Sequence, residues 1–145
     1  MKTQLLITGA IAIGFAFLAP LVQAGELSVT ISDIRADQGQ LMVAVMNSDA
    51  GWNNQEKPVA VDKLAAGKAN GDGQVVFRFN LPAGSYAVQV MHDENDNGKL
   101  DTNFMGLPVE GYGFSNNPQV MRRAHFDEAR FEITEAPAAI VVRLR

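Results

Sequence analysis

The chain has 145 residues, a formal net charge of -4 and no cysteine. The lack of cysteine excludes disulfides, thiolate metal sites, a thiol nucleophile and a lipid anchor attached through an N-terminal cysteine. The acidic balance argues against nucleic acid or an anionic membrane as a partner, because both attract clustered positive charge and Arg122-Arg123 is the sole basic pair.

The N-terminal segment has the composition of a secretory signal peptide. Lys2 is its one charged residue, an apolar run extends from Leu5 to Leu18, and the small residues Val22 and Ala24 suit cleavage after Ala24. The apolar run is shorter than the roughly 20 residues that a membrane-spanning helix needs. We therefore predict a signal peptide at residues 1–24 and export to the periplasm or the cell exterior. An uncleaved N-terminal anchor is the alternative.

Beyond Gly25, short windows in which apolar and polar residues alternate predict half-buried β-strands. The clearest windows run from Leu27 to Ile31, Leu41 to Val45, Val75 to Leu81 and Tyr86 to Val90. Turn-forming residues separate the windows. The turns at residues 70–73 and 82–84 predict hairpins between antiparallel neighbours.

Three further strands, the first of them weaker, and one helical turn complete the predicted elements. The strands are expected around Pro58–Val61, Ala129–Ile133 and Ile140–Leu144, with a helical turn around Phe126–Ala129. In the last strand Ile140, Val142 and Leu144 are predicted to face inward, and Val141, Arg143 and Arg145 outward. We predict an all-β fold: a single antiparallel Greek-key β-sandwich domain at residues 25–145, immunoglobulin-like, with about seven strands.

Between His92 and His125 the alternation is absent, and long irregular connections in compact domains are typically functional or ordered by a metal. Residues 93–101 place an oxygen ligand at every second position, from a side chain at 93, 95, 97 and 101 and from the backbone carbonyl at 99, and Gly98 permits the bend that brings them together. This spacing is typical of a calcium loop. The predicted ligands are the side chains of Asp93, Asn95, Asn97 and Asp101 and the carbonyl of Lys99.

The pattern departs from an EF-hand in two ways. Phe104 stands where a bidentate Glu is expected, and a strand rather than a helix precedes the loop. Glu110 is predicted to close the site by folding back, with water as the alternative. Low ligand charge predicts weak binding, with a dissociation constant of roughly 10⁻⁴ to 10⁻³ M. The competing hypothesis is a loop of Asx-turns that needs no ion.

The segment after the loop combines glycines with aromatic residues, and two interpretations compete. In the first, Tyr112 and Phe114 form an exposed platform, and Asn116 and Asn117 offer hydrogen bonds to a glycan or an envelope protein. In the second, Tyr112, Phe114 and Phe104 are plugs that fasten a long crossover to the sandwich. We favour the plugs, because aromatic residues in so small a domain are usually needed for the core.

No catalytic residue is predicted. Ser115, His125 and Asp127 have the residue types of a hydrolytic triad, but the chain has no G-x-S-x-G elbow. The alternative function is an envelope hydrolase that uses Glu110 with His125 and Asp127.

Two further side chains are given structural roles. His92 falls on the inward phase of the Tyr86 strand, so it is predicted to be a core histidine that orients the Asp93 loop. Trp52 follows the second strand and is predicted to anchor a loop.

Three motifs carry a resemblance to a known family. They are L-P-A-G-S-Y-A-V at residues 81–88, H-D-E-N-D-N-G-K-L-D at 92–101 and G-L-P-V-E-G-Y-G-F-S-N-N at 106–117. Together they resemble the bacterial family called domain of unknown function 2141. The first motif is also similar to prealbumin-like and collagen-adhesin B-type domains, some of which bind calcium through a comparable loop. The resemblance implies a transthyretin-like sandwich and implies no catalytic residues.

The sequence therefore predicts an exported, monomeric β-sandwich that binds calcium and serves as a binding or scaffold module. No segment after residue 24 has the length and hydropathy for membrane insertion. The physiological ligand stays open at this point.

Overall fold

The computed structural model describes residues 24–145, and the predicted signal peptide, apart from Ala24, lies outside them. In chain order the elements are β1 (Ala24–Ser32), β2 (Gln40–Met46), α1 (Asp49–Trp52), β3 (Ala60–Ala65), β4 (Val75–Pro82), β5 (Gly84–Asp93), β6 (Tyr112–Phe114), α2 (Phe126–Ala129), β7 (Phe131–Ile133) and β8 (Ala138–Arg143). A short 3₁₀ turn, Ala66–Lys68, follows β3. Within residues 24–145 no helix has the length and hydropathy to cross a membrane.

The strands form two sheets that pack face to face. In the three-stranded sheet β1 lies in the middle, antiparallel to β4 and parallel to β8. The five-stranded sheet has the order β3-β2-β5-β6, and β7 pairs with the first residues of β5. The predicted all-β sandwich is confirmed, with eight strands in the described part of the chain. The additional strand is β6, three residues long, which pairs with Gln89–Met91.

The alternating residues form the core between the sheets, as the sequence predicts. Leu27, Val29 and Ile31 of β1 are fully buried and pack against the inward residues of β2, β4 and β5. In β8 and the residues after it, Val142 and Leu144 are buried while the intervening residues are exposed, which confirms the predicted inward phase. Burial of these side chains is the main force that joins the sheets.

Both predicted hairpins are wrong. The turn at residues 70–73 leads from β3 in the five-stranded sheet to β4 in the other, and the turn at 82–84 leads back to β5. The Tyr86 hydroxyl donates to the Pro82 carbonyl at 2.9 Å and holds this corner. A short turn between two alternating strands fits a corner between sheets as well as a hairpin, so the local pattern does not distinguish them.

The boundaries of two other predicted strands are corrected. The strand predicted around Pro58–Val61 begins and ends later, as β3. The strand predicted at Ala129–Ile133 is shortened to β7, because Ala129 is the last residue of α2.

Candidate functional site

The Asp93 loop, residues 93–101, begins at the last residue of β5 and wraps around a buried carboxylate. Asp93 is only 2% exposed. Its two oxygens accept hydrogen bonds from the backbone N–H groups of Asn97, at 3.0 Å, and Gly98, at 2.7 Å. Gly98 has a φ of 81°, a left-handed conformation that glycine adopts without strain. The carboxylate and the glycine together fix the turn.

The polar side chains of the loop converge on Asp101. The Oδ2 atom of Asp101 accepts hydrogen bonds from the side-chain amides of Asn95, at 2.7 Å, and Asn97, at 2.8 Å. The hydrogen bond from Asn97, followed by that from Asn95, lowers the pKa of Asp101 below its ordinary value. The predicted side chains are therefore brought together rather than directed apart into solvent.

Asx-turns also hold the loop. The side-chain oxygen of Asn95 accepts from the backbone N–H of Asn97 at 3.2 Å, and that of Asn97 accepts from the N–H of Lys99 at 3.0 Å. The loop has features of both hypotheses drawn from the sequence. Its side chains converge, as in a calcium loop, and its backbone is held by Asx-turns. Within residues 24–145 no three His, Cys, Asp or Glu side chains are grouped so that they could hold a metal ion. A cation here would depend on amide oxygens and two carboxylates.

Glu110, the predicted closing ligand, lies beneath the two ends of the loop. Its Oε1 atom accepts from the backbone N–H of Glu94 at 2.9 Å, and its Oε2 atom from that of Asp101 at 2.8 Å. The residue is buried. Glu110 therefore fastens the start of the loop to its end, a role that the sequence pattern did not indicate.

Arg35 and His92 connect the loop to the rest of the sandwich. The Nε of Arg35 donates to Glu94 at 2.7 Å, and its guanidinium also donates to the Val109 carbonyl. His92 is fully buried, with Nε2 at 2.9 Å from the Gln38 carbonyl, so this nitrogen carries the proton. The prediction of a core histidine next to the loop is confirmed. Sequence reasoning missed Arg35, because nothing local to it points to residues so distant in the chain.

A cleft of ≈ 800 Å³ lies on the outer face of the five-stranded sheet. The strand register places two rows of side chains on its floor, since residues paired across neighbouring strands share a face. The first row, from β3 to β6, is Lys63, Met42, Met91 and Tyr112. The second row is Val61, Ala44, Gln89 and Phe114. The floor is mainly apolar although it faces away from the core.

Two segments form the walls of the cleft. One wall contains Leu107 and Pro108 of a small hairpin, in which Thr102 pairs with Pro108. The opposite wall consists of residues 121–123. At the tip of the hairpin Phe104 is 98% exposed, so the prediction that it plugs the sandwich is wrong. Its place in a tight turn directs it to solvent.

A second apolar cluster covers the part of the outer face next to the cleft. Trp52 is 1% exposed, and its indole N–H donates to the Ala124 carbonyl at 2.8 Å. Its ring centroid lies 5.6 Å from that of Phe114 and 6.3 Å from that of Phe126. The guanidinium of Arg123 stacks over the indole at 5.4 Å. Trp52 therefore fastens α1 and the 118–125 segment to the sheet, which confirms its predicted anchoring role.

The residues of the predicted platform separate into two groups. Phe114 is buried in the second cluster, as the plug interpretation predicts, while the half-buried Tyr112 lines the cleft. Asn116 donates to the Arg130 carbonyl at 2.7 Å. Asn117 donates to the Val141 carbonyl and accepts from the Arg143 N–H, both at 2.8 Å. These two amides fasten the crossover to the backbone and do not line the cleft.

The residues of the hydrolase hypothesis have separate surroundings. Ser115 is buried and bonds to Val88 and Ala129 of the backbone. Asp127 is solvent-exposed and lies 3.7 Å from Arg130, and His125 is exposed at the start of α2. Glu110 is engaged in the Asp93 loop. These four residues do not form a common site.

One ion pair near the cleft lowers the pKa of its carboxyl group. Both terminal nitrogens of Arg122 donate to Glu128 at 2.8 Å, and Glu128 also accepts from the His125 N–H at 2.7 Å. The hydrogen bond from Arg122, followed by that from His125, lowers the pKa of Glu128 to about 2. The ionised form of Glu128 is thus stabilised in the folded protein.

We expect the Glu128 carboxyl to titrate with a midpoint of about 2, against an ordinary value of 4.5. Because the folded pKa is the lower one, the stabilisation is complete above pH 4.5 and is lost as the pH falls toward 2. Carbon-detected NMR of the Glu side chains measures the midpoint. Arg122→Gln is expected to return it toward 4.5. A wild-type midpoint at the ordinary value contradicts the assignment.

Comparison with known proteins gives one match. A family model described as "Uncharacterized protein conserved in bacteria (DUF2141)" matches residues 29–141. The matched range includes the Asp93 loop and the floor of the cleft. No curated protein and no solved structure matches the chain. The similarity to transthyretin-like sandwiches stays a prediction.

Proposed function

The chain belongs to the bacterial DUF2141 family, and we propose that it is an exported module whose Asp93 loop binds calcium. The observation that carries the proposal is the convergence of Asn95 and Asn97 on the carboxylate of Asp101, above the buried carboxylate of Asp93. Calcium is bound in proteins by carboxylate, amide and carbonyl oxygens, and the converging side chains carry the first two of these groups.

The hydrogen bonds of Asp93 are compatible with this role, and those of Asn95 and Asn97 would rearrange. A carboxylate oxygen that accepts one N–H keeps a lone pair, so Asp93 can hold the turn and bind a cation at once. Rotation of the amides of Asn95 and Asn97 would turn their oxygens toward Asp101 and exchange the Asx-turn bonds that these oxygens now accept for bonds to a cation. Each oxygen would then lie at about 2.3–2.6 Å from the ion.

Weak affinity fits an exported protein. Two carboxylates, Asp93 and Asp101, give the ligand set little charge, and Glu110 is engaged by backbone N–H groups. A dissociation constant of roughly 10⁻⁴ to 10⁻³ M keeps such a site empty in the cytoplasm and filled where calcium is abundant. The predicted signal peptide supports the same location.

Calcium would act on the segment that follows the loop. The carbonyl of Asp101 accepts from the Val109 N–H at 2.9 Å, and the hairpin between these residues forms one wall of the cleft. An ion at Asp101 therefore holds the base of that wall in place. The proposed role of the ion is to keep a binding surface in one conformation, which is the function of a scaffold and not of an enzyme.

Calcium is expected to raise the unfolding temperature of the purified protein. At a concentration of about 100 times the dissociation constant the stabilisation is about 2.7 kcal/mol. For a domain of this size that corresponds to roughly 10 °C. Differential scanning calorimetry in calcium and in chelator measures the shift, and isothermal calorimetry measures the affinity.

Two variants that each remove one negative charge from the loop make the test specific to Asp101. Asp101→Asn replaces a charged ligand with a neutral one and is expected to weaken calcium binding at least about tenfold, or about 1.4 kcal/mol. Asp96→Asn removes the same charge from an exposed position in the same loop that makes none of these contacts, and is expected to keep the calcium shift. Equal responses of the two variants, or no heat of binding in the wild type, would disprove the proposal.

A further inference from the structure

We propose that the cleft on the outer face of the five-stranded sheet binds an amphipathic anion with one long alkyl chain, of the class of a fatty acid carboxylate. The alkyl chain would lie along the two rows of the floor, with the anionic head at Arg123. This inference concerns a different surface from the Asp93 loop and does not require calcium.

The size and lining of the cleft suit an apolar body. Its volume of ≈ 800 Å³ is within the range of about 300–1,000 Å³ that is usual for small-molecule sites. Met42, Met91 and Met121 line it, together with Leu107 and Tyr112. Methionine side chains are flexible and polarisable, so they adapt to an alkyl chain without needing polar partners.

The shape of the floor favours a chain over a sugar or a peptide strand. Each row crosses four strands spaced about 4.8 Å apart, so the floor is about 14 Å long, the length of an alkyl chain of about a dozen carbons. A peptide that adds a strand needs a free sheet edge instead. A sugar needs several polar groups, but five of the eight floor residues are apolar, and of the three polar ones, Lys63, Gln89 and Tyr112, the Gln89 oxygen already accepts from Arg123 at 2.9 Å.

The charges at the cleft favour an anionic head. Arg122 is neutralised by Glu128, whereas no carboxylate within residues 24–145 forms a salt bridge with Arg123. One terminal nitrogen of Arg123 bonds to Gln89 and to the Trp52 carbonyl, which fixes the guanidinium above the second row. Its other donors are free to bind a carboxylate. Lys63, at the other end of the first row, adds to this positive charge, whereas Asp62 pairs with the core residue Val43 and belongs to the opposite face of the sheet.

Isothermal titration of the purified protein with sodium dodecanoate, below its micelle concentration, tests the proposal. We expect saturable binding of one molecule per chain, both in calcium and in chelator. Arg123→Gln is expected to weaken dodecanoate binding at least about tenfold. The double variant Arg122→Gln/Glu128→Gln removes the adjacent ion pair as a whole and is the matched control. It is expected to change dodecanoate binding less than about twofold, because the net charge at the cleft stays the same.

Further ligands and a further variant separate the contribution of the anionic head from that of the alkyl chain. Dodecanol has the same chain without the charge, so its binding is expected to be weaker and unchanged by Arg123→Gln. Ala44→Phe places a ring on the floor and is expected to abolish binding of both ligands, with circular dichroism confirming that the variant is folded. Vesicles of phosphatidylcholine and phosphatidylglycerol distinguish a membrane lipid from a free fatty acid as the source of the ligand.

The outcomes are distinct. Dodecanoate binding that Arg123→Gln and Ala44→Phe both reduce, without binding to vesicles, supports the inference. Absence of dodecanoate binding, dodecanoate binding that Arg123→Gln and Ala44→Phe leave unchanged, or binding to vesicles alone overturns it. Because every titration is repeated in chelator, failure of the calcium proposal leaves this result interpretable.

Discussion

Replacement of Trp52 by alanine is expected to destabilise the protein by about 3–5 kcal/mol, the usual cost of truncating a buried aromatic residue. Trp52 is 1% exposed at the centre of the cluster that covers the outer sheet face. The substitution leaves a cavity between Phe114 and Phe126 and removes the donor to the Ala124 carbonyl. Of the changes considered, this one has the largest expected effect.

Urea unfolding followed by far-UV circular dichroism measures this cost, since Trp52 is the single tryptophan and its fluorescence is lost in the variant. Trp52→Phe keeps most of the ring contacts but leaves the Ala124 carbonyl unpaired, so an intermediate cost of about 1–3 kcal/mol is expected. Val61→Ala, at an exposed site on the same sheet face, is the control and is expected to stay within about 0.5 kcal/mol. A cost below about 1 kcal/mol for Trp52→Ala contradicts the anchoring role.

Asp93→Ala is expected to cost about 2–4 kcal/mol even in the absence of calcium, because two hydrogen bonds to a charged group are lost. The N–H groups of Asn97 and Gly98 both donate to this carboxylate. The Asn97 N–H keeps a longer bond to the Asn95 side-chain oxygen at 3.2 Å, but the Gly98 N–H has no second acceptor among the described residues. The variant is also expected to lose the calcium-dependent shift. Asp93 therefore differs from Asp101, whose contacts are between side chains at the surface of the loop.

Chemical unfolding in chelator isolates the structural part of this effect, and repetition in calcium adds the contribution of the ion. Asp96→Asn is again the control, since it removes one charge from the loop and none of these hydrogen bonds. Equal stability of Asp93→Ala and Asp96→Asn in chelator contradicts the assigned role of Asp93.

Most of the strands could be predicted from the sequence because their alternation is local. Leu27, Val29 and Ile31 identify β1 without any knowledge of its neighbours. β6 was missed because it has only three residues with a glycine in the middle. A Cβ at Gly113 would lie 2.6 Å from the Arg143 carbonyl oxygen, so the glycine allows the end of β8 to approach closely. That approach depends on the fold as a whole and has no local pattern.

The two candidate sites also differ in how far they could be predicted from the local sequence. The Asp93 loop is held by hydrogen bonds between near neighbours, such as Asn97 and Asp93, so its spacing revealed it. The cleft could not be predicted, because its floor combines four strands from distant parts of the chain and their register decides which side chains share a face. The turns at 70–73 and 82–84 also changed which strands are neighbours. Sequence spacing alone does not determine that choice.

The parallel pairing of β1 with β8 has a consequence for how the chain is made. Thr30 lies beside Val141 at the centre of this ladder, more than a hundred residues later in the sequence. Such long-range pairing is slow, because most of the chain must be ordered before the two segments meet. Until β8 has been synthesised, the backbone of β1 keeps one edge unpaired. The three-stranded sheet is therefore completed late, and a chain cut short before Ala138 would expose one edge of the central strand of that sheet.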